Sequence, residues 1–151
     1  MKFKHGTRRR AAEYEKDWVQ RWKDDDTFNK SVENRPANNS WVFYDGPPFL
    51  TGTPHHGHLL VSTVKDTMGR FHTMKGQRVE RRWGWDCHGL PAEVYVEKTL
   101  GIANKKEIGT KISVSDYVKE CRAAMVRTGT EWEDTIERIG RWVEFKGAYK
   151  T

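Results

Sequence analysis

Residues 41–59, WVFYDGPPFLTGTPHHGHL, decide the fold class of this 151-residue chain. The apolar run at 41–44 predicts a buried strand that is apolar on both faces, as strands of parallel sheets are. A loop with turn-forming glycines and prolines follows it. A helix is then predicted over about 58–73, because apolar residues recur at helical spacing: Leu60, Val61, Val64, Met68 and Phe71. A strand that leads through a tight loop into an amphipathic helix indicates an α/β fold.

The rest of the chain continues the alternation of strands and helices. A weaker strand is predicted at 77–83, and residues 31–40 (SVENRPANNS) are predicted to form a polar, turn-rich link. Further helices are predicted at 11–23, from Pro91 to about Leu100 with Gly101 as the C-terminal cap, from Ser113 onwards, and from Thr130 to Gly140. Strands separated by helices predict a parallel sheet.

The loop ends in H-x-G-H, with His55, Gly57 and His58 directly ahead of the predicted helix. A helix N-terminus offers unpaired backbone N–H groups and partial positive charge, which favour a phosphate. Two imidazoles at that point can donate further hydrogen bonds to phosphate oxygens, and a glycine leaves room for a nucleotide to approach. The pattern therefore predicts a phosphate site. The spacing alone is equally typical of a histidine in a polar loop.

Composition argues against a membrane protein and against a secreted one. Mean hydropathy is −0.89 and no long apolar run occurs, so no membrane span is expected. The basic start, MKFKHGTRRR, lacks the apolar segment of a secretory signal. Cys87 and Cys121 belong to no C-x-x-C pair, which fits a reducing compartment, and we expect a cytoplasmic protein. No metal site is expected, because Cys87 and His88 have no second pair of ligands.

The charge of the chain is basic, with a formal net charge of +6 and an isoelectric point of about 9.4. This balance favours polyanionic partners such as nucleic acid or nucleotide. A solvated surface with surplus lysines explains the same number equally well. Charge alone therefore leaves both explanations open.

A second informative stretch, residues 81–93 (RRWGWDCHGLPAE), together with residues 41–59 resembles a known family. The combination of D-G-P-P, P-H-x-G-H-L-L and G-W-D-C-H-G-L-P resembles the class I aminoacyl-tRNA synthetases, and among them the isoleucine-specific branch. Residues 98–102 (KTLGI) and 140–143 (GRWV) agree with it. The resemblance covers nearly the whole chain and is weakest in the first ten residues.

The resemblance implies a domain organisation. Residues 41–151 would form the first half of a Rossmann-type parallel-sheet catalytic domain, truncated before the editing insertion. Residues 1–40 would form an N-terminal helical extension and linker. The sequence has no K-M-S-K-S-like signature, no editing insertion and no anticodon-binding region. We therefore expect a fragment of a larger enzyme that is inactive or very weak on its own.

The resemblance also implies an activity, isoleucine–tRNA ligase. Such an enzyme activates isoleucine with ATP to isoleucyl-adenylate and transfers it to the 3′ end of its tRNA. ATP would bring Mg²⁺ as its counter-ion. By match to the motif, His55 and His58 would be catalytic contacts to the ATP phosphates, and Gly57 would lie against the adenosine. Isoleucine and tRNA are the expected partners, with tRNA bound mainly by missing regions, no membrane involved and a monomeric protein.

The same match assigns the amino acid to three further residues. Asp86, in G-W-D, would hold the substrate α-ammonium group, and Gly46 and Pro47 would line the amino-acid pocket. A carboxylate is a natural partner for an ammonium group in a partly desolvated site. Without the resemblance, Asp86 is better explained as a cap of the following turn or as a partner of Arg81 or Arg82.

Two other classes of function remain open from the residues. One is a different nucleotidyltransferase that uses H-x-G-H as a phosphate site. The other is a non-catalytic paralogue that binds RNA or protein. The joint occurrence of D-G-P-P and G-W-D-C-H-G-L-P favours the synthetase over both.

Overall fold

The computed structural model describes residues 6, 8–49, 52–127 and 129–151, without the side chains at 125–127 and 129–130. Helices in this part alternate with two short strands. Their order is α1 (Ala11–Asp24), α2 (Thr27–Glu33), α3 (His56–Met74), β1 (Arg82–Trp85), α4 (Leu90–Leu100), α5 (Val114–Arg127), α6 (Gly129–Arg138) and β2 (Glu144–Lys150). Single 3₁₀ turns lie at Ala37–Asn39 and Lys105–Glu107. The mixed α/β class is the one predicted from the sequence.

Strands β1 and β2 form a parallel pair, as predicted for an α/β fold. Arg82 lies opposite Glu144, and Gly84 lies opposite Tyr149 after a shift in register. The predicted strand at 77–83 begins later than expected, at Arg82. Three helices, α4 to α6, connect β1 to β2, because a parallel pair needs a long crossover.

The predicted buried strand at 41–44 is wrong. Residues 40–49 run beside β1 in an extended form, but isolated parallel bridges join only the two ends, Ser40 with Arg78 and Phe49 with Asp86. Between them, Val42 is 69% exposed and Tyr44 is 93% exposed. The apolar run therefore forms neither a ladder nor a core within the described part of the chain.

The hydrophobic core lies between β1 and helices α4 to α6. Tryptophans dominate it, because large aromatic rings bury the most apolar surface per residue. The core residues are Trp83, Trp85, Ala92, Val96, Tyr117, Ala124, Trp132 and Ile136. This core places β1, with the G-W-D motif at its end, on a rigid support.

Local signals predicted the helices around this core correctly. Gly101 ends α4 with a positive φ of 64°, which glycine adopts at little cost. Ser113 precedes α5, and its hydroxyl accepts a hydrogen bond from the Asp116 backbone N–H at 3.0 Å. The predicted cap at Thr130 lies outside the described side chains. The predicted link at 31–40 is partly helical, because α2 extends to Glu33.

The N-terminal helices are tied to the rest of the chain. Lys23 forms an ion pair with Glu137 at the end of α6, and the Trp22 ring meets the Trp142 ring edge-on with centroids 5.5 Å apart. The division of the chain at residue 40 into an extension and a catalytic part stays a prediction.

Helix α3 turns small residues toward the rest of the described chain. Its buried residues are Ser62, Gly69 and Thr73. A Cβ on Gly69 would come within 2.5 Å of the Arg81 Nε, so glycine allows this close approach. The apolar stripe that the sequence pattern would place against a core is exposed within the described residues: 66% for Leu60, 49% for Val61, 57% for Val64, 41% for Met68 and 48% for Phe71.

Charged side chains attach α3 to its neighbours. Asp66 accepts a hydrogen bond from the Trp142 backbone N–H at 3.1 Å, and within the helix it accepts one from Arg70 at 2.6 Å. The Arg70 guanidinium lies over the Trp142 ring at 3.7 Å and over the Trp22 ring at 4.9 Å, both cation–π contacts. Burial lowers the pKa of the neighbouring Arg81 to about 10, so Arg81 remains charged at neutral pH.

Candidate functional site

The histidine motif forms the start of helix α3. His55 is the N-terminal cap, and its Nδ1 accepts a hydrogen bond from the Gly57 backbone N–H at 3.1 Å. The His58 Nδ1 reaches back and accepts from the His55 backbone N–H at 3.2 Å. The two imidazole rings stack with centroids 3.6 Å apart. Each histidine thus accepts a hydrogen bond from one of the backbone N–H groups that a helix start leaves unpaired.

This capping fixes the tautomer of both histidines. A neutral imidazole carries its proton on one nitrogen, and a nitrogen that accepts a hydrogen bond is the other one. Because Nδ1 accepts in His55 and in His58, the proton of each neutral ring is on Nε2. Burial lowers the pKa of His58, and the charges of His55 and Lys65 lower it further. His58 is therefore neutral at pH 7 and presents an Nε2–H donor.

The position of the His55 ring leaves little room for a side chain at Gly57. A Cβ at this position would lie 3.0 Å from the Cε1 of His55 and 3.2 Å from its Nδ1. Both distances are tighter than ordinary van der Waals contact, so a side chain at 57 would push the capping ring away. The contact to adenosine expected for Gly57 stays a prediction.

A cavity of about 140 Å³ joins the histidine motif to the D-G-P-P turn. Gly46, Pro47 and His58 line it, so the structure brings these predicted residues together. Nothing lies within 4 Å of the place where a Cβ on Gly46 would be, so the backbone there is open to a ligand. His55 and Gly57, at the start of α3, do not line it.

The sequence analysis missed two cations in the cavity wall. Lys65 and Arg141 both line the cavity, and both form ion pairs with Asp45. Lys65 is seven residues after His58, which places it on the same face of α3, and this spacing is a signal that could have been used. Arg141 is far away in sequence, and its position in GRWV carried no local signal.

Trp132 is a third missed residue of the wall. It is 1% exposed, and its indole N–H donates to the Gly52 carbonyl at 2.9 Å. Its ring lies 4.8 Å from the His58 ring. Helix α6 thereby holds both the loop before the histidine motif and one of its histidines. The sequence analysis predicted only a helix from Thr130 to Gly140 here and no site residue.

Asp86 lies at the end of β1 beside the D-G-P-P turn, but it does not line the cavity. Its backbone N–H donates to the Pro48 carbonyl at 2.9 Å, and its carboxylate accepts from the Thr151 hydroxyl at 3.2 Å. Among the described residues, no ion pair joins it to Arg81 or Arg82, and none of its hydrogen bonds caps the following turn. The structural explanation that the residues alone favoured is therefore wrong.

Two features are absent from the described residues. Residues 6, 8–49, 52–127 and 129–151 contain no group of three or more histidine, cysteine, aspartate or glutamate side chains placed to hold a metal ion. In the same ranges, no helix is both long and apolar enough to cross a membrane.

Comparison with known proteins places the chain in a family. Residues 17–151 match the family described as tRNA synthetases class I (I, L, M and V), and the chain belongs to this family. Among curated proteins it is 49% identical over 140 residues to the isoleucine–tRNA ligase of Treponema denticola. It is 47% identical over 146 residues to that of Nocardia farcinica, and 50% identical over 133 residues to the cytoplasmic one of Caenorhabditis elegans.

The aligned part is most of this chain and a small part of each relative. It covers 93%, 97% and 88% of the chain but only 13%, 14% and 12% of those three relatives. A solved structure, the LeuRS–tRNA–LeuAMS ternary complex of Agrobacterium radiobacter K84 agnB2, matches 91% of this chain and 15% of its own. The TM-score is 0.57 at 20% sequence identity, which supports the fold.

Proposed function

We propose that this chain is the first part of the catalytic domain of an isoleucine–tRNA ligase. The complete enzyme activates isoleucine with ATP and transfers it to the 3′ end of tRNA. The similarity to isoleucine–tRNA ligases, 47% identity over 97% of the chain in one case, supports this assignment. The chain spans only 12–14% of the length of those relatives, so we expect it to be inactive or very weak alone.

The observation that carries the proposal is the pair of capped histidines at the start of α3. In adenylation, negative charge builds on phosphate oxygens, so fixed donors aimed at those oxygens are the main catalytic need. His55 and His58 supply two Nε2–H donors, because their Nδ1 atoms are already occupied by backbone N–H groups. The helix N-terminus adds partial positive charge. Mg²⁺ enters as the counter-ion of ATP.

The amino acid binds, in this proposal, beside the nucleotide. Gly46 and Pro47 line the cavity that His58 also lines. Among the described residues, the Asp86 carboxylate forms no ion pair and accepts only from the Thr151 hydroxyl, and Pro48 anchors its backbone next to the same turn. That carboxylate holds the α-ammonium group of isoleucine. The transfer RNA contacts regions beyond this chain, and we place the monomeric enzyme in the cytoplasm.

The proposal is tested with the full-length protein that contains this chain. Isoleucine-dependent exchange between ATP and pyrophosphate is expected, with isoleucine preferred over valine, leucine and methionine. A preference for one of these three amino acids would contradict the isoleucine assignment. Exchange that depends on no amino acid would favour another nucleotidyltransferase, and RNA binding without ATP affinity would favour a non-catalytic paralogue.

The role of the histidines is tested with His58→Ala and His56→Ala. His56 occupies the variable position of the motif in the same helical turn and is exposed. Loss of one oxyanion-type donor costs about 100- to 1000-fold in kcat, so we expect a loss of this order for His58→Ala. His56→Ala should retain activity. Equal losses in both variants would contradict a specific role of His58.

Asp86→Asn tests the ammonium site. Asparagine keeps the shape but removes the charge, so the KM for isoleucine should rise by about 10- to 100-fold while the KM for ATP changes little. A lowered melting temperature with unchanged isoleucine kinetics would make Asp86 a structural residue.

A further inference from the structure

We propose that Asp45 is a positioning residue for the amino-acid pocket. Its carboxylate, held between Lys65 and Arg141, fixes the turn with Gly46 and Pro47 against the helix that begins with the catalytic histidines. The inference rests on the proposed function in one respect, since it takes Gly46 and Pro47 to contact the amino acid.

The first support is the set of contacts around the Asp45 carboxylate. The Asp45 side chain is 15% exposed, and it pairs with the Lys65 ammonium and with the Arg141 guanidinium, whose side chain is 6% exposed. Arg141 also donates to the Ser62 hydroxyl on α3 at 3.2 Å. Charge-assisted hydrogen bonds with several donors fix geometry as well as add stability. One carboxylate therefore joins the turn to α3 and to the segment that leads into β2.

The second support is that Lys65 binds both the backbone of this turn and the Asp45 side chain. Its ammonium donates to the Gly46 carbonyl at 3.0 Å while it pairs with Asp45. The Tyr149 hydroxyl of β2 donates to the Asp45 carbonyl at 3.1 Å. The Tyr149 ring in turn packs against Gly84, where a Cβ would lie 2.1 Å from it. The backbone around Gly46 is thus held from α3 and from β2.

The third support is that the described backbone hydrogen bonds do not hold this turn. Those bonds attach residues 40–49 only near their ends, to residues on either side of β1, through Trp41 with Arg78 and through Pro48 with Asp86. Between these ends, residues 42–47 make no described backbone–backbone hydrogen bond. The position of the Gly46 backbone therefore depends on side chains, and three of these, Lys65, Arg141 and Tyr149, contact Asp45.

This arrangement couples the two halves of the site. Lys65 and His58 stand on one face of α3, and both line the cavity together with Gly46. Arg141 lies over the Trp83 ring at 5.1 Å, which ties the same anchor to the core. A change at Asp45 should therefore move the amino-acid turn relative to the histidines and leave the histidines themselves capped.

The test uses Asp45→Asn in the full-length enzyme, with Asp66→Asn as the matched control. The Asp66 side chain is also 15% exposed, but it pairs with Arg70 on α3 and accepts from the Trp142 backbone N–H, and no described ion pair or hydrogen bond joins it to the turn. We expect Asp45→Asn to raise the KM for isoleucine by about tenfold or more, with the KM for ATP within about twofold. Asp66→Asn should lower the melting temperature and leave the KM for isoleucine unchanged.

A second measurement needs no activity. Hydrogen exchange at the Asp86 amide reports the bond to the Pro48 carbonyl, which ends the turn. Asp45→Asn should speed this exchange more than Asp66→Asn does. Arg141→Lys, which keeps the charge but loses the fork to Asp45 and Ser62, should give a smaller effect in the same direction.

Two results would overturn the inference. One is an Asp45→Asn enzyme with wild-type KM for isoleucine and wild-type exchange at Asp86. The other is equal effects of Asp45→Asn and Asp66→Asn on both readouts. A wild-type enzyme without isoleucine-dependent activity would contradict the proposed function instead, and the exchange measurement would still decide the role of Asp45.

Discussion

The core around β1 and the attachment of helix α3 are stabilised by different forces. Trp83 and Ile136 in the core are 2% and 0% exposed, and their neighbours are apolar. On α3, Val64 and Met68 remain 57% and 41% exposed within the described residues. An ion pair to Asp45, cation–π contacts and a hydrogen bond from the Trp142 backbone attach this helix instead.

This difference has a structural reason. Apolar burial is non-directional and stabilises a platform without fixing orientations closely. Charged hydrogen bonds demand particular distances and angles, so they fix how one element faces another. Helix α3 begins with the two histidines, and its orientation decides where their Nε2–H groups point. The chain thus uses apolar packing for support and charged contacts for alignment.

The largest expected effect comes from the core. Ile136→Ala should lower the free energy of unfolding by about 2–5 kcal/mol, because a fully buried isoleucine loses its contacts and leaves a cavity. Ile139→Ala, at a residue 39% exposed just after α6, should cost less than about 1.5 kcal/mol. Urea denaturation followed by tryptophan fluorescence measures both. Equal losses would mean that the core does not dominate stability.

A smaller loss is expected when an attachment of α3 is removed. Arg70→Ala leaves Asp66 without its ion-pair partner and removes the contacts to the Trp22 and Trp142 rings, and it should cost about 1–3 kcal/mol. Arg21→Ala is the control, because its ion pair with Asp25 is exposed and should contribute less than about 1 kcal/mol. Similar melting temperatures for the two variants would argue against a charged attachment.

The smallest effect concerns pH at the start of α3. Burial, then the charges of His55 and Lys65, lower the pKa of His58 below the ordinary value of 6.5. As pH falls through 6.5, the unfolded chain binds a proton before folded His58 does, so stability decreases in that window. The decrease stops once folded His58 also binds its proton.

An NMR titration of the His58 ring measures this shift directly. Its midpoint should lie below 6.5, and Lys65→Met should move the midpoint upward because one neighbouring positive charge is gone. A wild-type midpoint at or above 6.5 would contradict the proposed burial of this ring.

Sequence signals predicted what local chemistry decides. The cap at Ser113 and the glycine at 101 placed helix ends correctly, because capping depends on residues a few positions apart. The extent of α3 was also close to that predicted. Which face of α3 packs inward was not predictable, because the residue that lies against Gly69, Arg81, belongs to a different segment of the chain.

The site was predictable in part for the same reason. The histidine motif and the D-G-P-P turn are short stretches, and the structure brings His58, Gly46 and Pro47 to one cavity. The contact between Asp45 and Arg141 joins residues 96 positions apart, and it leaves no periodic or local signal. Apolar residues 41–44 predicted a strand, but propensity does not supply a pairing partner.

The capped histidines determine how mutations at the motif should be interpreted. Each Nδ1 also accepts a hydrogen bond from a backbone N–H at the start of the helix. An alanine at 55 or 58 therefore has two effects, because it removes the Nε2–H donor and also weakens the helix start. His55→Asn should keep the capping role and lose the donor role, since asparagine is a preferred N-terminal cap but has no Nε2–H to offer. A screen that contrasts asparagine with alanine at this position would distinguish variants that fold but cannot react from variants that do not fold.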